Sequence, residues 1–435
     1  MSEDPVDLST ERRTSPSGEQ SAPDGGEVSL LDRVRRQLPQ GTVGRRLALM
    51  ALLDAAGTGL FLSVSTLFLT GTVGLSVGQV GVGLSAAAGA GLLATMPVAI
   101  LADRHGTRRV LVAVILWRAA CLGIYPFVPD FATFLTLVVL MGLVDKTMAP
   151  LVQALVGMAV PQPERVRTMA VMGALRNVGY TAGALLGSVA LVLDDRAGYT
   201  ALILANALAF VVLAAVARRI PLLPGMAGDV SHLRRKLSVQ VFTDRPFLAV
   251  SALNIVLAMH VTLLSVGIPV WVSATHTPRS VISVLLVINT VLAALFQVRV
   301  SRGAAELTRA SRLMRIGGLG LAAACLLLAA VPALGTVSAV ALLVLSVVAM
   351  TVGELYQSAG GWGISYKLAR QGQESTYVSM FWLSVGAQQI IAPLVIAQMV
   401  DGGALAWVLL AAVQAAAGLA VPVVTRWAAR ERGLL

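Results

Sequence analysis

The chain has 435 residues, of which 57% are hydrophobic and 13% charged, with a formal net charge of +11 and a mean hydropathy of +0.81. A soluble domain carries about 25% charged residues, so the composition excludes a water-soluble enzyme and marks a polytopic membrane protein with no nucleic-acid partner. Two cysteines, Cys121 and Cys325, both inside apolar runs, exclude a disulfide framework and a cysteine-based metal site.

Residues 1–27 are polar, rich in Ser, Pro, Gly and acidic residues, and read as disordered with no cleavable signal. In SLLDRVRRQLPQ, Ser29 and Asp32 have capping-box spacing, and Leu30, Leu31, Val34 and Leu38 share a helical face. This stretch reads either as an interfacial helix held on anionic lipid by Arg33, Arg35 and Arg36 or as a weakly ordered lead-in.

The apolar runs then follow as twelve expected spans: 46–70, 76–101, 109–128, 131–160, 168–193, 199–217, 246–273, 281–298, 313–334, 336–365, 378–400 and 404–425. Continuous runs of this length suit helices crossing about 30 Å of hydrocarbon, whereas barrel strands alternate in short segments. The expected organisation is a tail at 1–44, six helices at 45–217, a linker at 218–245, six helices at 246–430 and a tail at 431–435. With the amino terminus in the cytoplasm, cytoplasmic segments hold 28 of the Lys and Arg residues, the opposite side holds Arg196 and Arg279, and three lie within spans. Both termini are therefore expected in the cytoplasm. The excess of 30 Arg over 3 Lys suggests a high-GC bacterial genome, hence a bacterial plasma (inner) membrane protein.

Corresponding stretches recur between the halves. MGLVDKT in the fourth span parallels MTVGELY in the tenth, setting Asp145 against Glu354, and Cys121 parallels Cys325, with offsets of 204 to 209 residues. Duplicated membrane halves are a recurring plan for transporters, with the substrate site at their interface.

Six ionisable residues fall deep within spans: Asp54, Arg118, Asp145, Lys146, Arg176 and Glu354. Each costs roughly 2.5–3.5 kcal/mol at a helix centre, so each needs a partner or a cavity. Three acids and three bases permit full pairing. Arg176 opens RNVGYTAGALLGS, in which Gly179, Gly183 and Gly187 recur every four residues and favour close helix contact.

The loop after the second span reads LADRHGTRR. Leu101, Ala102, Asp103, Arg104, Gly106 and Arg108 match in register the pattern G-x-L-A-D-R-x-G-R-R of the major facilitator superfamily, which this chain resembles over roughly residues 45–430, drug and small-molecule efflux members included. Ala99 stands where the first glycine is usual, and Thr107 replaces the first paired basic residue, with Arg109 following. The Gly179 stretch resembles the fifth-helix antiporter motif G-x-x-x-G-P-x-x-G-G, with Ala184 at its proline and Ser188 at its last glycine. The buried arginine of the fourth helix in exporters is absent, Val138 falling near its place.

The resemblance implies an all-α fold of two six-helix bundles and alternating access. It implies that Asp103, with Arg104, Gly106, Arg108 and Arg109, forms a gate against the start of the eleventh helix near Glu374, Ser375 and Thr376. Such a carboxylate suits a helix amino terminus and neighbouring arginines. In the second half VRVSRGAAE keeps Arg302 and Gly303 but has Ser301 in place of the acid, so the lock is expected on one side only. The first, fourth, seventh and tenth helices line the cavity in the superfamily, which assigns Asp54, Asp145, His260 and Glu354 to it, with Glu354 the foremost proton site and Arg118 a structural residue of a peripheral helix.

The expected function is proton-coupled export of a small amphiphilic molecule or drug by a monomer in contact with membrane lipids, without a cofactor. The alternative is an importer or exchanger of a polar metabolite bound by Arg176, Asn254, Gln388 and Gln389. A receptor or scaffold is disfavoured by the shortness of the polar segments. An enzyme is disfavoured because no metal-ligand spacing or phosphate-binding loop occurs.

Overall fold

The computed structural model describes residues 41–193, 196–224, 240–273, 275, 277–278 and 281–434, and among them the regular structure is helix, with no strand. The amphipathic reading of Ser29–Leu38 and most of the linker lie outside the described residues.

The first helices are α1 (Gly41–Leu67), which ends in a π-turn over Phe68–Thr72, α2 (Val77–His105) and α3 (Thr107–Ile124). They are followed by α4 (Phe131–Ala159), α5 (Gln162–Leu193) and α6 (Arg196–Arg218). Polar residues set the starts. Ser76 accepts from the Gln79 amide while Gln79 returns a bond to the Ser76 amide, a complete capping box. Asp130 accepts from the Thr133 amide at 2.9 Å, and that bond holds its carboxyl below the usual range. The α2–α3 joint turns at Gly106, whose φ of 95° a side chain would resist.

The second group runs α7 (Arg245–Leu257), α8 (Val281–Val300), α9 (Leu307–Ala330) and α10 (Thr336–Leu368), then one element, Glu374–Glu431. That element breaks at Gly403, with φ 56° and ψ −143°, giving α11 before the glycine and α12 after it. By length and hydropathy, eight helices among the described residues are able to cross a membrane: α2, α3, α4, α6, the α7 region, α9, α10 and α12. Of the other four, α1, α5 and α11 carry Asp54, Arg176 and Gln389 in their interiors, and α8 is apolar but offers only the shorter stretch Val284–Val300.

Apolar packing forms two bodies. In the first, α1 lies on α5 and α6, and α2 and α3 lie on α4, around Leu47, Phe68, Leu111, Tyr125, Phe134 and Phe210. In the second, α9 lies on α10 and on the α11–α12 element, around Leu263, Trp271, Cys325, Leu343 and Trp407. The α1–α5 contact depends on the glycine spacing read from the sequence. A β-carbon on Gly183 would strike the Ala56 carbonyl, and one on Gly179 would lie 2.8 Å from the Leu52 carbonyl; Gly187 is buried on the same helix. Overpacking of this kind costs about 1–3 kcal/mol. Gly183→Leu is therefore expected to lose the monodisperse peak on gel filtration, whereas Gly89→Leu, with open space around it, is expected to keep it.

One expectation fails in the seventh span, which sequence reads as continuous. Past α7 the chain turns at Ala258 and Met259, resumes for His260–Thr262, widens into a π-turn at Leu263–Gly267 and ends with Ile268–Ser273. The carbonyls at the break find side-chain partners inside the protein. The His260 ring Nδ1 donates to Leu257 O at 2.8 Å, and the Gln414 amide of α12 donates to Val256 O at 3.0 Å. A buried, broken helix is tolerated only when such groups find partners.

A buried carboxylate that the sequence reading passed over closes the start of α7. Asp244 caps it by accepting from the Phe247 amide at 3.2 Å. It also accepts from Tyr377 Oη at 2.7 Å and Arg432 Nη2 at 2.6 Å, and pairs with Arg370 Nε at 3.6 Å. The chain past α12 is thereby tied to α7 and α11.

Candidate functional site: a charged cavity and its lock

Between the two bodies lies a cavity of about 530 Å3. One wall is charged. It carries Asp54 from α1, Arg118 from α3, Asp145 and Lys146 from α4, and Arg176 and Tyr180 from α5. The opposite wall is largely apolar and comes from Val261 and from Trp382, Leu383, Val385, Gly386 and Gln389 of α11.

Arg118 organises the charged wall. Its Nη1 lies 3.3 Å from Asp145 Oδ1 and 3.9 Å from Asp54 Oδ1, its Nη2 donates to Thr58 at 3.3 Å, and its guanidinium sits 4.6 Å over the Phe210 ring. Arg176 Nη1 lies 4.0 Å from Asp54 Oδ2, and its Nη2 donates to Tyr180 Oη at 3.3 Å. Lys146 instead reaches across the cavity and donates to Gln389 Oε1 at 2.9 Å. The expectation that Arg118 is a peripheral structural residue is thus corrected: it is buried at the centre of the site.

Two expected cavity residues lie elsewhere. Glu354 faces α8, where its carboxylate accepts from Asn289 Nδ2 at 2.9 Å, and it does not line this cavity. Its depth was legible, but its direction around the α10 axis was not. His260 is buried with its ring closing the α7 break, and its neighbour Val261 faces the cavity in its place. The ligands expected for a polar metabolite also divide. Arg176 and Gln389 line the cavity, whereas Asn254 and Gln388 are fully buried. Asn254 donates to Ser384 at 2.7 Å and accepts from Gln357 at 2.7 Å, while Gln388 accepts from Thr262 at 2.9 Å.

Towards the end of the bundle that carries the arginine-rich loops, hydrogen bonds join the two bodies. Asp103 accepts from the backbone amides of Ser375 at 3.0 Å and Thr376 at 2.9 Å, and from the Thr376 hydroxyl at 2.5 Å. These are the first-turn donors of α11, which its own helix cannot satisfy. Thr107, at the motif's basic position, extends the contact through a 2.8 Å bond to Ser375 Oγ. Arg108 donates to Ile220 O at 2.8 Å instead of to Asp103, and Arg104 and Arg109 are exposed. The expected support of Asp103 by neighbouring arginines is thus replaced by amide and hydroxyl donors. Deeper in, Gln153 of α4 donates to Ser365 at 2.7 Å, accepts from Trp382 Nε1 at 2.7 Å, and its carbonyl accepts from Tyr366 Oη at 2.7 Å. In the second body, Ser301 bonds its own Val298 carbonyl at 2.8 Å, and Gly303 repeats the positive φ of Gly106 at 75°.

The family model of the Major Facilitator Superfamily matches residues 47–393. The chain belongs to that superfamily. Among curated proteins none matches by sequence. Solved superfamily structures share the fold at low identity. A bacterial homologue of the iron transporter ferroportin in an outward-facing state matches with a TM-score of 0.68 at 17% identity, over 89% of this chain and 99% of that one. The human organic anion transporter MFSD10 (TETRAN) matches with 0.61 at 15% identity, over 89% and 99%. The nucleoside transporter NupG, in a mutant form, matches with 0.51 at 13% identity, over 87% and 99%. Superfamily members are transporters rather than enzymes, and this chain is a multi-pass membrane protein with their fold.

Within the superfamily frame, the residues whose partners the sequence did not give share one property. Arg118, Lys146, Gln153, Thr107 and Asp244 all act through partners distant in the chain, from the Arg118–Asp145 separation of 27 to the Gln153–Ser365 separation of 212 and beyond. Only the basic-loop motif carried a partner with it.

Proposed function

We propose that the protein is a secondary active transporter that exports a small amphiphilic molecule in exchange for protons by alternating access, through twelve membrane spans with both termini in the cytoplasm of a bacterium. The observation that carries this reading is the cavity between the two bodies, with a charged wall facing an apolar one and a hydrogen-bonded lock at its basic end. Two carboxylates held on one arginine form a unit that takes a proton without creating an isolated charge. Protonating Asp145 leaves Arg118 paired with Asp54 alone. The fixed geometry of Arg118 over Phe210 makes this cluster a better proton site than Glu354, whose partner is a neutral amide.

The test is proton flux alongside substrate flux in proteoliposomes. Asp145→Asn is expected to abolish gradient-driven transport while exchange of substrate across the membrane persists, and Glu354→Gln is expected to retain coupling. Coupling lost in Glu354→Gln and kept in Asp145→Asn moves the proton site to α10. Reporters fused after residue 434 and within 225–239 are expected to read as cytoplasmic, and one at 194–195 as external. A reversal of either overturns the orientation argued from the basic loops.

A further inference from the structure

The cavity's charges do not cancel. Its lining holds three cations, Arg118, Lys146 and Arg176, and two carboxylates, Asp54 and Asp145. The third carboxylate that would balance them, Glu354, lies on Asn289 and outside the lining. Arg118 is shared by both aspartates, and Arg176 reaches Asp54 at 4.0 Å. Among the described residues Lys146 has no ion-pair partner, only the neutral Gln389 oxygen.

The hydrogen-bonding groups are unbalanced in the same direction. The Gln389 oxygen is taken by Lys146, which leaves its amide N–H groups as donors at an exposed position in the cavity. Tyr180 Oη accepts from Arg176, so its own hydrogen is available to donate. Lys146, Arg176, Tyr180 and Gln389 thus present more donors than the two acceptors among them, Gln389 Oε1 and Tyr180 Oη, take up. A charge at this depth is costly without a counterion, and hydrogen bonds from cations to an oxyanion are the strong ones. Across the cavity Trp382, Leu383, Val385 and Val261 offer an apolar and aromatic surface.

We propose that the transported molecule is a small organic anion, one carboxylate or sulfonate on an aromatic or alkyl body, with its acid group held between Lys146, Arg176 and Gln389 and its body laid against the α11 wall. This deepens the transport reading above and rests on it for the word transported; the binding claim stands on the cavity alone.

The test uses the purified full-length protein and three naphthalene probes of one shape: naphthalene-2-sulfonate, naphthalene-2-carboxamide and 2-naphthylmethylamine. Binding is read by calorimetry and by thermal stabilisation, since a ligand of the folded state stabilises it by mass action. The sulfonate is expected to bind at least tenfold more tightly than the amide, and the amine least of all. Lys146→Gln is expected to bring sulfonate affinity down to that of the amide, while Lys146→Arg retains the preference. Amide or amine binding as tight as sulfonate in the unaltered protein overturns the proposal, and that comparison stands even if Lys146→Gln does not fold. An unchanged sulfonate preference in folded Lys146→Gln overturns it equally. Sulfonate bound with this dependence, but not moved in proteoliposomes under an imposed proton gradient, leaves the anion site standing and refutes the proton-coupled transport reading instead.

Discussion

Asp103→Asn is expected to open the basic end of the bundle without unfolding the protein. The carboxylate receives two backbone amides and one hydroxyl from the start of α11, and each of its oxygens is an acceptor. Asparagine keeps one acceptor and turns its amide nitrogen, a donor, towards donors. A hydrogen bond to a charged group contributes about 1.5–3 kcal/mol, so losing one such interaction shifts the balance between closed and open forms roughly ten- to hundredfold. Ser365→Cys supplies the readout. That position is fully buried at the Gln153 contact, and the native Cys121 and Cys325 are buried as well. Alkylation of Ser365→Cys is expected to accelerate by at least tenfold in the Asp103→Asn background, with expression near normal and transport lost. Unchanged alkylation with normal turnover reduces the loop to a topology signal.

Arg118→Met is expected to be the most damaging single substitution to stability. It leaves Asp54 and Asp145 on the same cavity wall beside Phe210, with Arg176 near Asp54 but no cation shared between the two carboxylates. Breaking a buried ion pair from one side costs about 3–5 kcal/mol, a large part of the stability of any domain. The double substitution Arg118→Met with Asp145→Asn removes one charge of each sign and is expected to recover most of the folded yield. Arg118→Lys is expected to fall between, because a single ammonium does not span two carboxylates as a guanidinium fork does. A fully stable Arg118→Met would show that the cluster is not held together by this charge. No recovery in the double variant would place the defect in packing against Phe210.

The legible and illegible parts of the molecule divide along physical lines. Continuous apolar runs announced helices, because apolar length is a local property of composition. Gly183 was legible because only a small residue at four-residue spacing admits the Ala56 carbonyl so closely. The contact of Asp103 with Ser375 and Thr376 came from a resemblance, not from spacing. Glu354 shows where sequence stops: a helix apolar nearly all round has no face that announces which neighbour it meets, so depth in the membrane was readable and azimuth was not. The break in the seventh helix had no proline or glycine at Ala258 and Met259 to announce it. Its cause is distributed over His260 and Gln414, which are close only once the chain has folded. Arg118 and Lys146 are both cations within apolar helices, yet one is enclosed by two acids and the other reaches across the cavity to an amide.

The hydrogen bonds at the basic end also bear on how tightly the protein can seem to hold its cargo. Asp103, Thr107 and Gln153 all favour one arrangement of the two bodies. On the alternating-access reading proposed above, a solute arriving from the basic side meets the cavity only in molecules where those bonds are open. Its observed dissociation constant from that side is then the intrinsic one divided by the open fraction. At an open fraction of about one in a hundred, a site of micromolar intrinsic affinity would register as roughly a hundredfold weaker. Loosening the lock would sharpen apparent affinity on one face and blunt it on the other, with no residue of the cavity altered.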